Sequence, residues 1–170
     1  MKPKHTTYLS LGSNLNDKLL YLEQAVQSIH STLGVVKNIS SVYKTPAWGF
    51  EGNDFFNICI ELKTNQAPVT LLKNLLAIET SMGRERTNKE QYENRCIDID
   101  IILYDNIVFH SAILTLPHPK ATERKFVLYP LYEINKYGLF PNTEKPISEY
   151  IQTCKDESSI EKTSCKIVLN

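Results

Sequence analysis

Asp98-Ile99-Asp100 places two carboxylates two residues apart in a segment, Cys96 to Tyr104, where apolar and polar residues alternate. On a strand, residues two apart point the same way, with Cα atoms roughly 6.5–7 Å apart. Ile97, Ile99, Ile101 and Leu103 then take the buried face, and both carboxylates project from the other. Asp is disfavoured in strands and neighbouring like charges repel. A hard divalent cation turns that cost into a binding site, and such a pair can clamp two ions ~3.5–4 Å apart. A solvated polar face or arginine partners would also accommodate the pair, so the pattern alone leaves the metal open.

Arg84-Glu85-Arg86, followed by Lys89 and Arg95, precedes that strand, with a polar loop over Thr87–Asn94. Guanidinium groups bind phosphate oxygens in pairs and keep their charge. A basic loop beside two carboxylates is what a nucleoside triphosphate with magnesium requires. Glu85, Glu90 and Glu93 also make the loop, taken alone, read as ordinary solvated chain. Glu79 falls in the apolar stripe of the preceding helix, where an unpaired carboxylate would cost several kcal/mol. Its partner is either a structural arginine or something bound at the site. Phe55 and Asn57 share one strand face, an aromatic surface beside an amide that suits a flat heteroaromatic ligand, although many sheet edges look the same. His118, in Leu116-Pro117-His118-Pro119, is held between prolines, a setting for a fixed hydrogen bond that is structural more often than catalytic. No Ser/His/Asp ordering, Walker loop or CxxC motif supports a covalent or P-loop mechanism.

The elements that must position these groups follow from periodicity. Tyr8–Leu11 reads as a first strand, ended by Gly12-Ser13-Asn14. Asn14 or Asn16 then caps a helix over 17–32 with Leu22, Ala25, Val26 and Ile29 on one stripe. A second strand spans 35–44, and the Pro- and Gly-containing stretch 45–54 is a loop. A third strand runs from Phe55 to Lys63, and Pro68 opens a second helix that runs to Met82 before Gly83. The fourth strand, Cys96–Tyr104, turns at Asp105-Asn106 toward a short partner, Ile107–His110. Short helical pieces follow Pro117, and the chain beyond Asp156 has no readable element. The order β-α-β-β-α-β predicts an α+β, ferredoxin-like fold, an antiparallel sheet with both helices on one face and the other face open.

At 170 residues and 19.5 kDa the chain suits one domain over 1–170. Nineteen basic residues balance nineteen acidic ones, which gives no footprint for nucleic acid or an anionic membrane. No apolar run approaches the ~20 residues of a membrane span, and the start lacks a signal-peptide core. The four cysteines, Cys59, Cys96, Cys154 and Cys165, have no metal-ligand spacing; read as reduced thiols they predict a cytoplasmic protein.

Taken together, these segments resemble the 6-hydroxymethyl-7,8-dihydropterin pyrophosphokinases of folate biosynthesis. The resemblance rests on Gly12-Ser13-Asn14, Tyr43-Lys44-Thr45-Pro46, Gly49, Phe55-Phe56-Asn57, Ile78-Glu79, Gly83-Arg84-Glu85-Arg86, Arg95 with Asp98-Ile99-Asp100, Leu116-Pro117-His118-Pro119, and Arg124-Lys125-Phe126-Val127 before Pro130-Leu131. These occur in family order from about Tyr8 to Asn135. The resemblance implies pyrophosphoryl transfer from ATP to the pterin hydroxymethyl group, leaving AMP, with two magnesium ions on Asp98 and Asp100. It implies that Phe55 and Phe126 sandwich the pterin, that Asn57 hydrogen-bonds its edge, and that Thr45, Pro46 and Trp48 supply loop contacts. Arg84 and Arg95 would act on the polyphosphate as catalytic groups, and Glu79, Arg86, Thr115, His118 and Arg124 would line the ATP site. A monomer is the default expectation.

The chain departs from the family where members often carry an aromatic-Gly-Pro-Arg run: it reads Tyr92-Glu93-Asn94-Arg95. Phe55 stands where a tyrosine is common, and the tail from about Asp156 has no family counterpart. A ferredoxin-like binding or regulatory module without catalysis is the alternative, and a two-metal nuclease fits poorly with neutral charge.

Overall fold

The computed structural model describes residues 3–84 and 93–169. In chain order, β1 is His5–Ser13, α1 Lys18–Thr32, β2 Val35–Ile39, β3 Tyr43–Thr45, β4 Phe55–Thr64, α2 Pro68–Ser81 and β5 Asp98–Tyr104. A hairpin of β6 (Phe109–His110) and β7 (Thr115–Leu116) follows, then α3 (Lys125–Ile134), β8 (Leu139–Phe140), β9 (Lys145–Pro146), α4 (Ile147–Thr153) and β10 (Glu161–Lys162). Within the main sheet the order is β10-β3-β4-β1-β5, with β2 also pairing β4, and every pairing is antiparallel. This is the predicted ferredoxin-like α+β arrangement.

One face of the sheet is sealed by α1 and α2. Leu22, Ala25, Val26 and Ile29 of α1 and Leu71 and Leu75 of α2 close over Leu9, Leu11, Ile58, Ile60, Leu62, Ile99 and Ile101. The helical stripe and the strand alternation meet here, each burying its apolar half. The cap of α1 differs from expectation: Asp17, not Asn14 or Asn16, accepts the Leu20 amide at 3.1 Å. The predicted second strand is broken at residues 40–42, where the Ser40 amide and hydroxyl bridge to Cys59.

Three further features alter the expected picture. The pairing of β1 with β5 slips by one residue between Tyr8 and Leu9, leaving an extra residue, Ile102, in β5. Such a bulge resets the alternation. Leu103 therefore joins Ile102 on the opposite face from Ile101, while Tyr104 returns to the helix-covered core. The segment Ile107–His110 does not pair with β5: Phe109 and His110 pair with Leu116 and Thr115 instead. The second face is open over only part of its area. Val127, Leu128 and Leu131 of α3, with Phe140 and Ile147, cover Cys59, Ile102 and Leu103. The tail is ordered, with Glu161 and Lys162 pairing with Lys44 and Tyr43, and Ile167 entering the main core. Among the described residues no helix is long and apolar enough to cross a membrane.

Candidate functional site

The uncovered part of the second sheet face forms the floor of a cavity of about 400 Å³. Its layout follows from strand register. Gly12 in β1 lies between Asp98 of β5 and Asn57 of β4, and Ser10 lies between Asp100 and Cys59. A Cβ on Gly12 would come 3.2 Å from Asn57 Oδ1 and 3.4 Å from the Phe55 ring. The missing side chain thus keeps the floor open between the acidic and amide sides.

At the acidic end Asp98 is held by two arginines. Arg84 approaches one carboxylate oxygen at 2.6 Å and Arg95 the other at 3.2 Å. Arg84 is delivered by the end of α2: Gly83 has φ +89°, and the Arg84 amide donates back to the Glu79 carbonyl at 3.1 Å. Only glycine takes that conformation cheaply. Glu79, with no exposed surface, sits 2.8 Å from the same Arg84 nitrogen and accepts the Ile99 amide at 2.7 Å. It locks α2, Arg84 and β5 together from behind.

The two aspartates experience different fields. Burial would raise the Asp98 pKa, but the charges of Arg95 and Arg84 outweigh it and hold the carboxyl below its ordinary value. Burial, and then the charge of Asp98, push Asp100 up to about 7, against the opposing pull of Arg124. Both side chains nonetheless open into the cavity, with 25% and 35% of their surface exposed. Burial and Arg124 push His118 down to about 4, so its imidazole is neutral. Its Nδ1 accepts the Lys120 amide at 3.1 Å, which leaves the proton on Nε2, 3.9 Å from Asp100. The carbonyl of the bulge residue Ile102 accepts the His118 amide at 2.9 Å.

The other end is aromatic. Asn57 Nδ2 donates to Thr45 Oγ1 at 2.9 Å and to the Tyr43 carbonyl at 3.3 Å, which fixes the amide within the β3–β4 pair. The Phe55 ring meets Phe50 edge-on, with centroids 6.3 Å apart, and Arg95 lies 5.6 Å over it. Across the cavity the Arg124 guanidinium is 4.7 Å from the Trp48 ring and 5.5 Å from the Phe126 ring. The two aromatic faces thus each carry an arginine, cation–π contacts worth ~0.5–2 kcal/mol each.

The cavity thus has carboxylates and arginines at one end and aromatic rings with a fixed amide at the other. The model for 7,8-dihydro-6-hydroxymethylpterin-pyrophosphokinase (HPPK) matches residues 8–136. The chain belongs to the HPPK family. A 2-amino-4-hydroxy-6-hydroxymethyldihydropteridine pyrophosphokinase from Aquifex aeolicus (strain VF5) is 37% identical over 161 residues, covering 94% of this chain and 96% of the relative. The protein of that name from Bacillus subtilis (strain 168) is 40% identical over 129 residues, 75% of this chain and 76% of the relative. Among solved structures, wild-type Plasmodium falciparum HPPK-DHPS superposes with a TM-score of 0.73 at 16% identity, over 90% of this chain. The chain spans 45% of that longer solved chain.

Within this HPPK family member, Thr45, Pro46, Trp48, Phe55, Asn57, Arg84, Arg95, Asp98, Asp100, His118, Arg124 and Phe126 all line the one cavity. Glu79 stands behind it and reaches it through Arg84. Thr115 is on the β6–β7 hairpin, where its hydroxyl bonds to His110 at 3.0 Å, and does not line the cavity. Arg86 lies outside the described residues. Sequence reasoning missed Ser10, Gly12, Phe50, Pro119 and Lys120 as lining residues. Ser10 and the functional place of Gly12 were legible in principle, since both sit two or four residues along β1 from Tyr8. Phe50 and Lys120 lie in turns that no periodicity orients.

Proposed function

We propose that this chain transfers a pyrophosphoryl group from ATP to 6-hydroxymethyl-7,8-dihydropterin. The hydroxymethyl oxygen forms a bond to the β-phosphorus, the bond from that phosphorus to the bridging α–β oxygen breaks, and AMP leaves while the hydroxyl proton passes to solvent. The observation that carries the reading is the joint placement of Asp98, Asp100, Arg84 and Arg95 at one end of a single cavity whose other end is aromatic.

The residues suit the reaction. Asp98 and Asp100 would hold magnesium, as two ions. Among the described residues no group of three or more His, Cys, Asp or Glu side chains gathers to enclose a metal. Two carboxylates with the remaining oxygens from water and substrate phosphates is the usual arrangement for magnesium. The mutual repulsion that pushes Asp100 upward is relieved by such a cation. When bound, the ions neutralise charge on the polyphosphate. Arg84 and Arg95 bind and orient the phosphates, and their guanidinium charge stabilises the oxygens as the β-phosphorus is attacked. Arg86 and Arg124 add to the ATP side. Neutral His118 offers an Nε2–H donor there, Glu79 steadies Arg84, and Thr115 supports the hairpin beside them. Phe55 and Phe126 stack the pterin, Asn57 reads its amide edge, and Thr45, Pro46 and Trp48 close the wall. Positioning and charge neutralisation carry the barrier, so no strong base is needed.

A monomer is the proposed working unit. Free cysteines, Cys59 and Cys96 buried among them, support a reducing compartment such as the cytoplasm. The test is AMP formation from ATP and magnesium with and without 6-hydroxymethyl-7,8-dihydropterin, beside an Asp98→Ala control. Pterin-dependent AMP that vanishes in the control supports the reading; a folded, pterin-binding protein that forms none overturns it.

A further inference from the structure

The match to the HPPK family model ends at residue 136, yet the chain beyond it bonds to two segments that line the cavity. One is the start of α3. Its N-cap, Arg124, makes no side-chain capping bond, and the Lys125 amide is one of the donors a helix start leaves without an internal partner. That amide donates instead to Asp156 Oδ2 at 3.0 Å, from 31 residues away. Asp156 is itself fixed: its other oxygen accepts the Ser158 amide at 2.9 Å and the Ser158 hydroxyl. Lys125 Nζ returns a bond to the Ser158 carbonyl at 3.1 Å. A carboxylate here also suits the positive end of the helix dipole. The anchored residue lies between Arg124 and Phe126, both in the cavity.

The same stretch then reaches the segment that carries Trp48. Glu161 and Lys162 pair with Lys44 and Tyr43, and the Thr163 amide and hydroxyl both donate to the Val42 carbonyl at 2.9 Å. β3 ends at Thr45, and the chain passes from it to Pro46 and Trp48. Residues 156–163 thus tie the β3–Trp48 segment to the Arg124–Phe126 segment, the two segments that meet where Arg124 lies 4.7 Å from the Trp48 ring.

We propose that Asp156 is a positioning residue for Arg124 and Phe126, and that residues 156–163 form a clasp holding the Trp48 segment against the start of α3. Built on the pterin pyrophosphokinase reading, the clasp determines how closely a flat ligand and its phosphate donor are gripped. Without the Asp156 bond the start of α3 loosens, and with it the guanidinium that faces Trp48.

Trp48 is the single tryptophan in the chain, so its emission reports this segment directly. The experiment compares full-length wild type with Asp156→Ala, Asp156→Asn and Leu131→Ala. It measures Trp48 emission, affinity for 6-hydroxymethyl-7,8-dihydropterin in the presence of a non-hydrolysable ATP analogue and magnesium, and steady-state kcat and KM. Asp156→Ala should shift the emission, weaken pterin binding fivefold to tenfold and raise its KM. Asp156→Asn keeps an acceptor and should recover most of the loss. Leu131→Ala, which loosens α3 from its buried side, should lower the melting temperature without matching those site changes. Should Asp156→Ala fail to fold, Asp156→Glu, one methylene longer, carries the test with a twofold to threefold loss expected. Wild-type emission and pterin affinity in the folded Asp156 variants overturn the clasp, as does an equal site change in Leu131→Ala. If wild type itself forms no AMP, the functional reading fails, and the emission comparison still decides the clasp.

Discussion

The second face of the sheet carries two regions built from the same strands and opposite in character. Under α3, Cys59, Ile102 and Leu103 are covered by Val127, Leu128 and Leu131, and the Cys59 thiol is driven far above its ordinary pKa by burial. A few residues along the same strands, Asn57, Asp98 and Asp100 face a cavity. Apolar surface against a helix is stabilised by its removal from water, at roughly 25 cal/mol per Å². Two carboxylates under that helix would instead be stranded without hydration. The bulge at Ile102 marks the border, because it turns Leu103 toward α3 and offers its carbonyl to His118 on the cavity side. One region holds the fold, and the other spends stability on held charge.

Substitutions that act on one region and spare the other would sharpen that contrast. The largest effect should come from the floor: Asp98→Ala and Asp100→Ala should each lower the rate of pterin-dependent AMP formation by about a thousandfold or more while the melting temperature stays near wild type. Near-normal turnover at ordinary magnesium would remove the carboxylates from their proposed role. In the covered region, Leu131→Ala should cost about 2–5 kcal/mol in urea unfolding through the cavity it leaves, with KM for both substrates little changed. A variant that loses substrate affinity in proportion would dissolve the border between the regions.

Arg84→Ala should lower kcat by about a hundredfold more than it raises KM, as expected for a group acting on developing charge. An effect confined to nucleotide KM would make Arg84 a ground-state binder. Because Glu79 loses a partner in that variant, its melting temperature should also fall, whereas Arg84→Lys should restore stability better than turnover.

The smallest effect belongs to Glu133 of α3. Burial raises its pKa, but hydrogen bonds from Tyr43 at 2.6 Å and from the Ser41 amide and hydroxyl at 3.0 and 2.9 Å outweigh that and lower it. A carboxyl whose folded pKa is depressed adds stability above its unfolded pKa and loses it as pH falls through the folded value. Glu133→Gln should therefore cost about 1 kcal/mol near neutral pH, and the difference from wild type should shrink as pH falls below about 4.5. A pH-independent gap would show that the amide fails by shape and not by charge.

Strand and helix patterning determined most of the core beneath α1 and α2. The alternation of Phe55–Lys63, the stripe of Leu22, Ala25, Val26 and Ile29, and the stop at Gly83 each express a local pattern, and local patterns are readable one segment at a time. The pairing of Asp98 with Asp100 on one face was readable for the same reason. What the sequence could not decide involves partners far apart in the chain. The Ile102 bulge arises only when β1 is laid against β5, and it moved Leu103 to the other face. Whether Glu79 met an arginine depended on Gly83 turning Arg84 back beneath β5. Thr115 lies three residues before His118, but hairpin pairing turned its hydroxyl toward His110. Asp156 has no local pattern at all, since its acceptor oxygen meets a helix start 31 residues earlier. Short-range sterics and burial are written in consecutive residues. Register, caps borrowed from a distance and the border between covered and open sheet are decided only when the layers close.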